Sequence, residues 1–286
     1  MTSTPSVLRR YGLGPVLAAT VLALFVLVAV IGPVLVPYDG VATRVGDRLL
    51  PPFSTASDGA FALLGTDQNG RDVLAQVIAG SRVSLLVGVT VVVVGGLVGL
   101  VLGLLAGYYG GWLDAVISRV GDMQLAFPSI LLAILLAGAL GPSLTNVIVA
   151  LAVTRWVIFA RVVRGSALTT RGREFVESAR VMGASDLRIV VRYILPSCVQ
   201  PLLVAATVQV GLTMVAEAAL SFLGLGVPVD QASWGSTIAN GRDYLASAWW
   251  IAAVPGIALT LVVVCVGLLG DAARDESDPS RELVAR

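Results

Sequence analysis

The chain has 286 residues, of which 57% are hydrophobic and only 13% charged, and its mean hydropathy is +0.90. That balance lies far outside soluble globular norms and marks an integral membrane protein. The formal net charge is +1 with no long basic tract to suggest nucleic acid; the chain has no histidine and all nineteen basic residues are arginine, which excludes a P-loop lysine, a Schiff-base lysine, an HExxH zinc site and a Ser-His-Asp arrangement.

Six apolar runs are long enough to cross a hydrocarbon core of about 30 Å as helices of about 20 residues. They lie near residues 14–36, 83–107, 116–138, 143–163, 197–223 and 249–269. Each is apolar all round, without the short alternating segments of a membrane β-barrel, so the sequence predicts an all-α polytopic fold. The first run follows Arg9 and Arg10, and its core from Val16 to Val36 has no small-residue cleavage site; it reads as a retained anchor and, with its tail, makes a unit 1–37. Residues 38–82, with Pro51, Pro52 and several aspartates, read as an external loop. Within it Gly65 to Asp72 reads as a turn leading to a helix N-terminus, where Asp72 suits the local dipole.

Residues 83–270 hold the other five runs. In the second, Gly95, Gly96, Gly99, Gly103 and Gly107 recur every three to four positions, a ridge that lets helix backbones approach closely in lipid and whose plainest use is packing within the chain. Intramembrane ionisable residues are the default functional candidates, and Arg155 and Glu217 qualify. Arg155 lies one to two turns from Arg161, near enough to snorkel toward the cytosolic interface, with a translocation pathway as its other use. Glu217 stands about 30 Å along a helix from Pro196, near the outer mouth, where it would pair with an arginine of a partner chain or line the path. Gln209 is a further pathway candidate. Cys198 and Cys265 lack CxxC spacing and read as packing residues, without a disulfide or zinc cluster. Trp234, Trp249 and Trp250 suit an interfacial aromatic belt.

Arginine near span ends is retained on the cytoplasmic side. With the N-terminus inside, thirteen of the nineteen arginines fall on the inner side, while outer Arg44, Arg48, Arg71, Arg82 and Arg242 sit among aspartates. Both termini are therefore expected in the cytoplasm, the C-terminal tail being 271–286.

The inner loop 165–196 is a charged, helix-patterned island. From Arg171 to Met182, Phe175, Val176, Ala179 and Met182 recur at helical spacing against Arg173, Glu174, Glu177 and Arg180, a short amphipathic helix. Gly183 suits the left-handed position that ends it, and Ser185 with Asp186 supplies an N-cap and a first-turn acid for a second helix. That second helix runs from Asp186 to Tyr193; Pro196 stops it or sits in the first turn of the next span. Such a pair has an apolar face too narrow for its own core. Pattern alone leaves three uses open: lying on lipid, closing a pore or docking elsewhere.

Glu177-Ser178-Ala179, then Gly183, then Ile194-Leu195-Pro196, resembles the EAA loop of ABC importer permeases, with Ser178 where alanine is usual. Leu64 to Leu74, Gly107 to Trp112, Ala160 to Gly165 and Ala218 to Gly226 are similar to the dipeptide and oligopeptide branch, in particular to the second, C-type permease of its pair. The tail Gly270-Asp271, Arg274-Asp275 and Asp278-Pro279 is similar more loosely. The resemblance implies a six-span, type I importer-like fold whose inner loop forms coupling helices seated in a groove of a cytoplasmic ATPase. It implies Glu177, Ser178, Ala179, Met182, Gly183, Ala184 and Pro196 as coupling positions, and Asp67, Arg71, Asp72 and Trp234 as facing an extracytoplasmic binding protein. At Arg155 it would imply a small or uncharged residue. The implied assembly is a heterodimer with a similar second permease, two ATPase subunits that bind ATP and magnesium, and a binding protein. On this resemblance the chain itself is expected to hold no cofactor, to do no chemistry and to import peptides through the bacterial inner membrane. Nickel chelates, glutathione, haem or sugars are alternative cargoes of the same architecture. An ion-coupled secondary transporter, a runner-up, would need buried carboxylates and inverted repeats; a membrane enzyme would need paired intramembrane acids.

Overall fold

The structure, a computed structural model, describes residues 13–228 and 230–276; Arg9, Arg10, Asp278, Pro279, Arg281 and Arg286 lie outside them. Among the described residues, five helical stretches are long and apolar enough to cross a membrane. They are α1 (Leu13–Leu35), α2 (Val73–Leu104) with its wider last turn Leu105–Tyr109, α5 (Leu144–Arg171), α8 (Leu195–Phe222) and α10 (Trp250–Glu276).

The run at 116–138 corrects the expectation of one straight span. It is divided between α3 (Gly111–Leu125) and α4 (Ser129–Leu140), whose axes bend by 86°. Pro128 has no N–H to donate, and its ring drives Phe127 away from helical backbone, so α3 closes with the Phe127 amide on Gln124 and α4 restarts beyond the proline.

Two helices outrun their apolar stretches. α2 begins at Val73 because the Asp72 carboxylate caps it, accepting the Leu74 amide at 2.8 Å. α5 continues to Arg171, carrying the span past residue 163 into the polar hairpin. Hydropathy reports what lipid can cover; capping chemistry decides where a helix ends.

The glycine ridge seats α2 on α5, the closest helix pair of the bundle. A Cβ on Gly99 would lie 2.5 Å from the Phe159 Cβ, one on Gly103 would lie 2.6 Å from the Ala160 carbonyl, and one on Gly107 would lie 2.6 Å from the Ala167 Cβ. Gly96 meets nothing and is not part of the contact. α8 packs against α2 and α5, α10 against α8, and α1 against α2 and α10. α1 buries only Ala18, Ala29 and Gly32, so most of its surface is left for lipid.

One end of the bundle carries the hairpin α6 (Glu174–Val181) and α7 (Asp186–Ile189). The other carries the 36–72 loop, with a two-residue antiparallel pair β1 (Ser54–Thr55) and β2 (Phe61–Ala62), and the short helix α9 (Trp234–Gly241). The Trp250 indole N–H donates to the Thr66 carbonyl at 3.2 Å and pins this loop to the start of α10.

Candidate functional site

The hairpin is closed by local chemistry. Gly183 has φ +81°, its amide donates to the Arg180 carbonyl, and the Ala184 amide reaches back to Ala179, both at 3.0 Å. This paired pattern satisfies the last carbonyls of α6 and needs a left-handed residue at Gly183. Ser185 occupies the N-cap position of α7 without a side-chain cap bond. α7 runs without a break through the wide turn Val190–Ile194 into α8, so Pro196 sits in the first turn of the span and terminates nothing.

Two faces result. Val176, Ile189 and Ile194 are buried against Tyr108, Val163, Ala167 and Cys198, and Ala179 is buried as well. The apolar set read from the sequence is divided: Val176 and Ala179 are buried, whereas Met182 is 79% exposed, beside Val181 at 89% and Leu187 at 71%. Ala179, with 2% of its surface exposed, cannot itself be a contact for another protein. Glu177, Ser178, Gly183 and Pro196 are exposed, and Ala184 is half-buried. The outer face is thus an apolar tip ringed by Arg173, Glu174, Glu177, Arg180 and Arg188.

This hairpin is bolted to several spans. The Tyr108 hydroxyl at the end of α2 donates to the Asp186 carboxylate at 2.5 Å, and Arg171 donates to the Tyr108 carbonyl at 2.7 Å. Arg180 also contacts that hydroxyl, which holds its guanidinium still further above its usual range. The Thr170 and Ser197 hydroxyls, from α5 and α8, are 2.8 Å apart. Arg164 forks onto Asp114 of α3 at 2.5 and 2.7 Å, and Arg161 pairs with Asp122 at 2.6 Å.

Midway through the bundle, Arg155 corrects the snorkelling expectation: its guanidinium turns sideways to the Leu212 carbonyl of α8 at 3.4 Å. Gln209 and Thr213, on the same helix, are buried with Oε1 and Oγ1 unpartnered. Glu217 is fully buried and has no arginine beside it; Ser84 donates to it at 3.1 Å and Ser221 at 2.7 Å, with Ser233 in contact. It joins α2, α8 and the cap of α9, and is fully buried within this chain. The Ala218 to Gly226 stretch supplies the turn that permits this: Gly224 has φ +77°, and the backbone of Gly226 lies against Ser221 where no Cβ would fit.

At the loop end the structure revises the expected partner-facing set. Asp67 is fully buried, and its carboxylate accepts the Asn69 and Arg71 amides and the Gln76 amide side chain. Trp234 is fully buried, donating to the Val77 carbonyl at 3.0 Å and meeting Phe25 edge-on. Arg71 donates to the Ala42 carbonyl and Asp72 caps α2; burial raises the Asp72 carboxyl above its usual range despite the amide bonds it accepts. These residues build the loop. Trp250 is buried too, which leaves Trp249 as the exposed member of the expected belt. What faces outward instead is a basin of about 750 Å³ lined by residues such as Asn69, Phe222, Gln231, Asn240 and Asp243. Its only sequence signal is the Gly-Pro turn chemistry between residues 224 and 228.

Residues 99–282 match the family described as the binding-protein-dependent transport system inner membrane component. The chain belongs to this family of ABC importer permeases. A putative peptide transport system permease protein of Brucella suis is 45% identical over 271 residues, covering 95% of this permease and 88% of that one. A di/tripeptide transport system permease protein of Pseudomonas aeruginosa is 40% identical over 257 residues, covering 90% and 84%. An inward-facing methionine ABC transporter shares the fold, with a TM-score of 0.59 at 22% identity, over 71% of this permease and 96% of that chain. Permeases of this family work with ATPase and binding-protein partners and are not themselves catalytic.

Proposed function

We propose that this permease forms half of the translocation pathway of an ATP-driven importer of short peptides, paired with a similar second permease. The hairpin faces the cytoplasm and seats in one of two ATPase subunits, which bind the ATP and magnesium; this chain holds no cofactor. The loop end and its basin meet an extracytoplasmic binding protein that delivers the peptide. The observation that carries this reading is the hairpin itself, a pair of helices with three apolar side chains held outward on a rigid mount. Burying Val181, Met182 and Leu187 in a partner's groove would contribute about 1.5–3 kcal/mol each.

ATP-driven closure of the ATPase pair pushes on this tip. Because α6 and α7 lead directly into the ends of α5 and α8, the push tilts both spans; Tyr108 passes it to α2 and the Arg164–Asp114 fork passes it to α3. The path then alternates between outward-open and inward-open states. The peptide cargo is supported by the relatives from Brucella suis and Pseudomonas aeruginosa, whose names specify peptides and di/tripeptides.

The test is uptake of labelled dialanine by proteoliposomes holding both permeases, the ATPases and the binding protein. Uptake should require ATP, and Gly183→Trp should abolish it at normal membrane abundance, because a bulky residue there both strains a left-handed turn and fouls the tip. Normal uptake by that variant would count against the coupling role.

A further inference from the structure

We propose that the outer basin is a receiving site for the peptide itself, in which the carboxamides of Asn69, Gln231 and Asn240 bind its backbone while Arg242 takes its carboxylate and Asp243 its ammonium group. This rests on the peptide-import reading and deepens it: the binding protein covers the basin, and the basin accepts the peptide that it releases.

Three segments wall the basin, whose 750 Å³ or so falls in the range of small-ligand sites, about 300–1,000 Å³. Asn69 stands on the 36–72 loop, its backbone fixed on both sides: its amide donates to the Asp67 carboxylate and its carbonyl receives the Arg44 amide, each at 2.8 Å. Gln231 leads into α9, whose start is held by the reciprocal Ser233–Ser236 cap and whose last turn carries Asn240 into the tight turn Arg242–Tyr244. The end of α8 supplies Phe222. The loop and the segment before α9 touch directly, because Gly40 packs on the Asp230 carbonyl where no Cβ would fit. The walls are thus set before anything binds, which lowers the ordering cost of binding.

The lining specifies the occupant. Among the described residues, the side-chain amides of Asn69, Gln231 and Asn240 make no hydrogen bond, and each residue is exposed or half-buried, so a solute in the basin reaches it. A carboxamide offers an acceptor and two donors, the complement of a peptide unit's N–H and carbonyl, and this pairing ignores the peptide's side chains. Arg242 and Asp243 supply charge of both signs. Arg242 lies over the Phe222 ring at 5.8 Å and meets Asp243 at 3.4 Å; their side chains are 56% and 76% exposed, so the pair contributes little and is readily exchanged. A zwitterion replaces both partners at once, giving a carboxylate to the guanidinium and an ammonium to the aspartate. A loop of the binding protein seated here would bring peptide units but no free ends, and would leave the charged pair as it is.

The experiment is equilibrium binding of labelled dialanine to the purified complex of permeases and ATPases without its binding protein, competed by unlabelled dialanine, its C-terminal amide or its N-acetyl form. Wild type should favour dialanine about 2- to 10-fold over either blocked form, the range of a half-exposed charged contact. Arg242→Gln should erase the preference over the amide and Asp243→Asn the preference over the N-acetyl form, whereas Asn240→Leu should weaken all three competitors together by about the same factor. All three positions are exposed, so each variant should unfold at the wild-type temperature. Equal competition by the three forms on wild type, or wild-type preferences in Arg242→Gln and Asp243→Asn, would overturn the site. So would variants that bind dialanine normally but hold the unliganded binding protein more weakly, which would make the basin a socket for that protein. A complex that takes up dialanine when its binding protein is present, yet binds none without it, removes the site and leaves the transport reading standing. A complex that takes up no peptide at all defeats that reading and the site with it.

Discussion

On the proposed mechanism, Tyr108 is where motion of the hairpin would be passed to α2. Its hydroxyl bonds Asp186 and its carbonyl receives Arg171, so one residue ties the end of that span to both sides of the hairpin. A hydrogen bond to a charged group contributes about 1.5–3 kcal/mol. Tyr108→Phe keeps the packing and removes the hydroxyl's contacts with Asp186 and Arg180. In proteoliposomes it should lower dialanine uptake several-fold while ATP hydrolysis falls less, so more ATP is consumed per peptide; an unchanged ratio would show that α2 is not driven through this contact. The motif containing Tyr108 was legible in the sequence, but its partner 78 positions away was not. The same limit explains Asp67 and Trp234. Asp67 was readable as a turn residue from Gly65 to Asp72, yet its burial depends on Gln76 closing over it. Trp234 fits a belt by composition, but Val77, far back in the chain, claims its indole. Local chemistry names a residue's conformation, and contacts across the sequence decide which way it faces.

At the scale of elements, the glycine ridge makes a sharp contrast available. Gly103→Val would drive a side chain into the Ala160 carbonyl and Val163, and overpacking of this kind costs about 1–3 kcal/mol. Gly96→Val meets open space. Thermal unfolding of the detergent-purified complex should therefore begin several degrees lower for Gly103→Val and stay near wild type for Gly96→Val; equal effects would mean that the ridge does not set the α2–α5 distance. The ridge, the hairpin with its Gly183 turn, and the spans other than the third were legible because each is written in short-range periodicity or capping chemistry. The bend at Pro128 was hidden by averaging: residues 116–138 are apolar throughout, and hydropathy is blind to a missing N–H. Met182 parts from Val176 and Ala179 for a related reason. Its spacing from Val176 and Ala179 fits one helical face, but α6 ends at Val181, and beyond the last turn that periodicity no longer applies.

On the scale of the whole molecule, spans α2, α5 and α8 converge on one hairpin with an exposed apolar tip, and α3 is tied to α5 beside it. The central claim is that an ATPase holds this tip from the cytoplasm. The direct measurement is photocrosslinking from benzoylphenylalanine placed at Val181, an exposed position whose neighbour Gly183 is left intact, in membrane vesicles containing the whole transporter. The expected result is an adduct of permease and ATPase, from a tip that membrane-impermeant reagents do not reach in intact cells. Adducts to lipid alone, or labelling of that position from outside the cell, would contradict it.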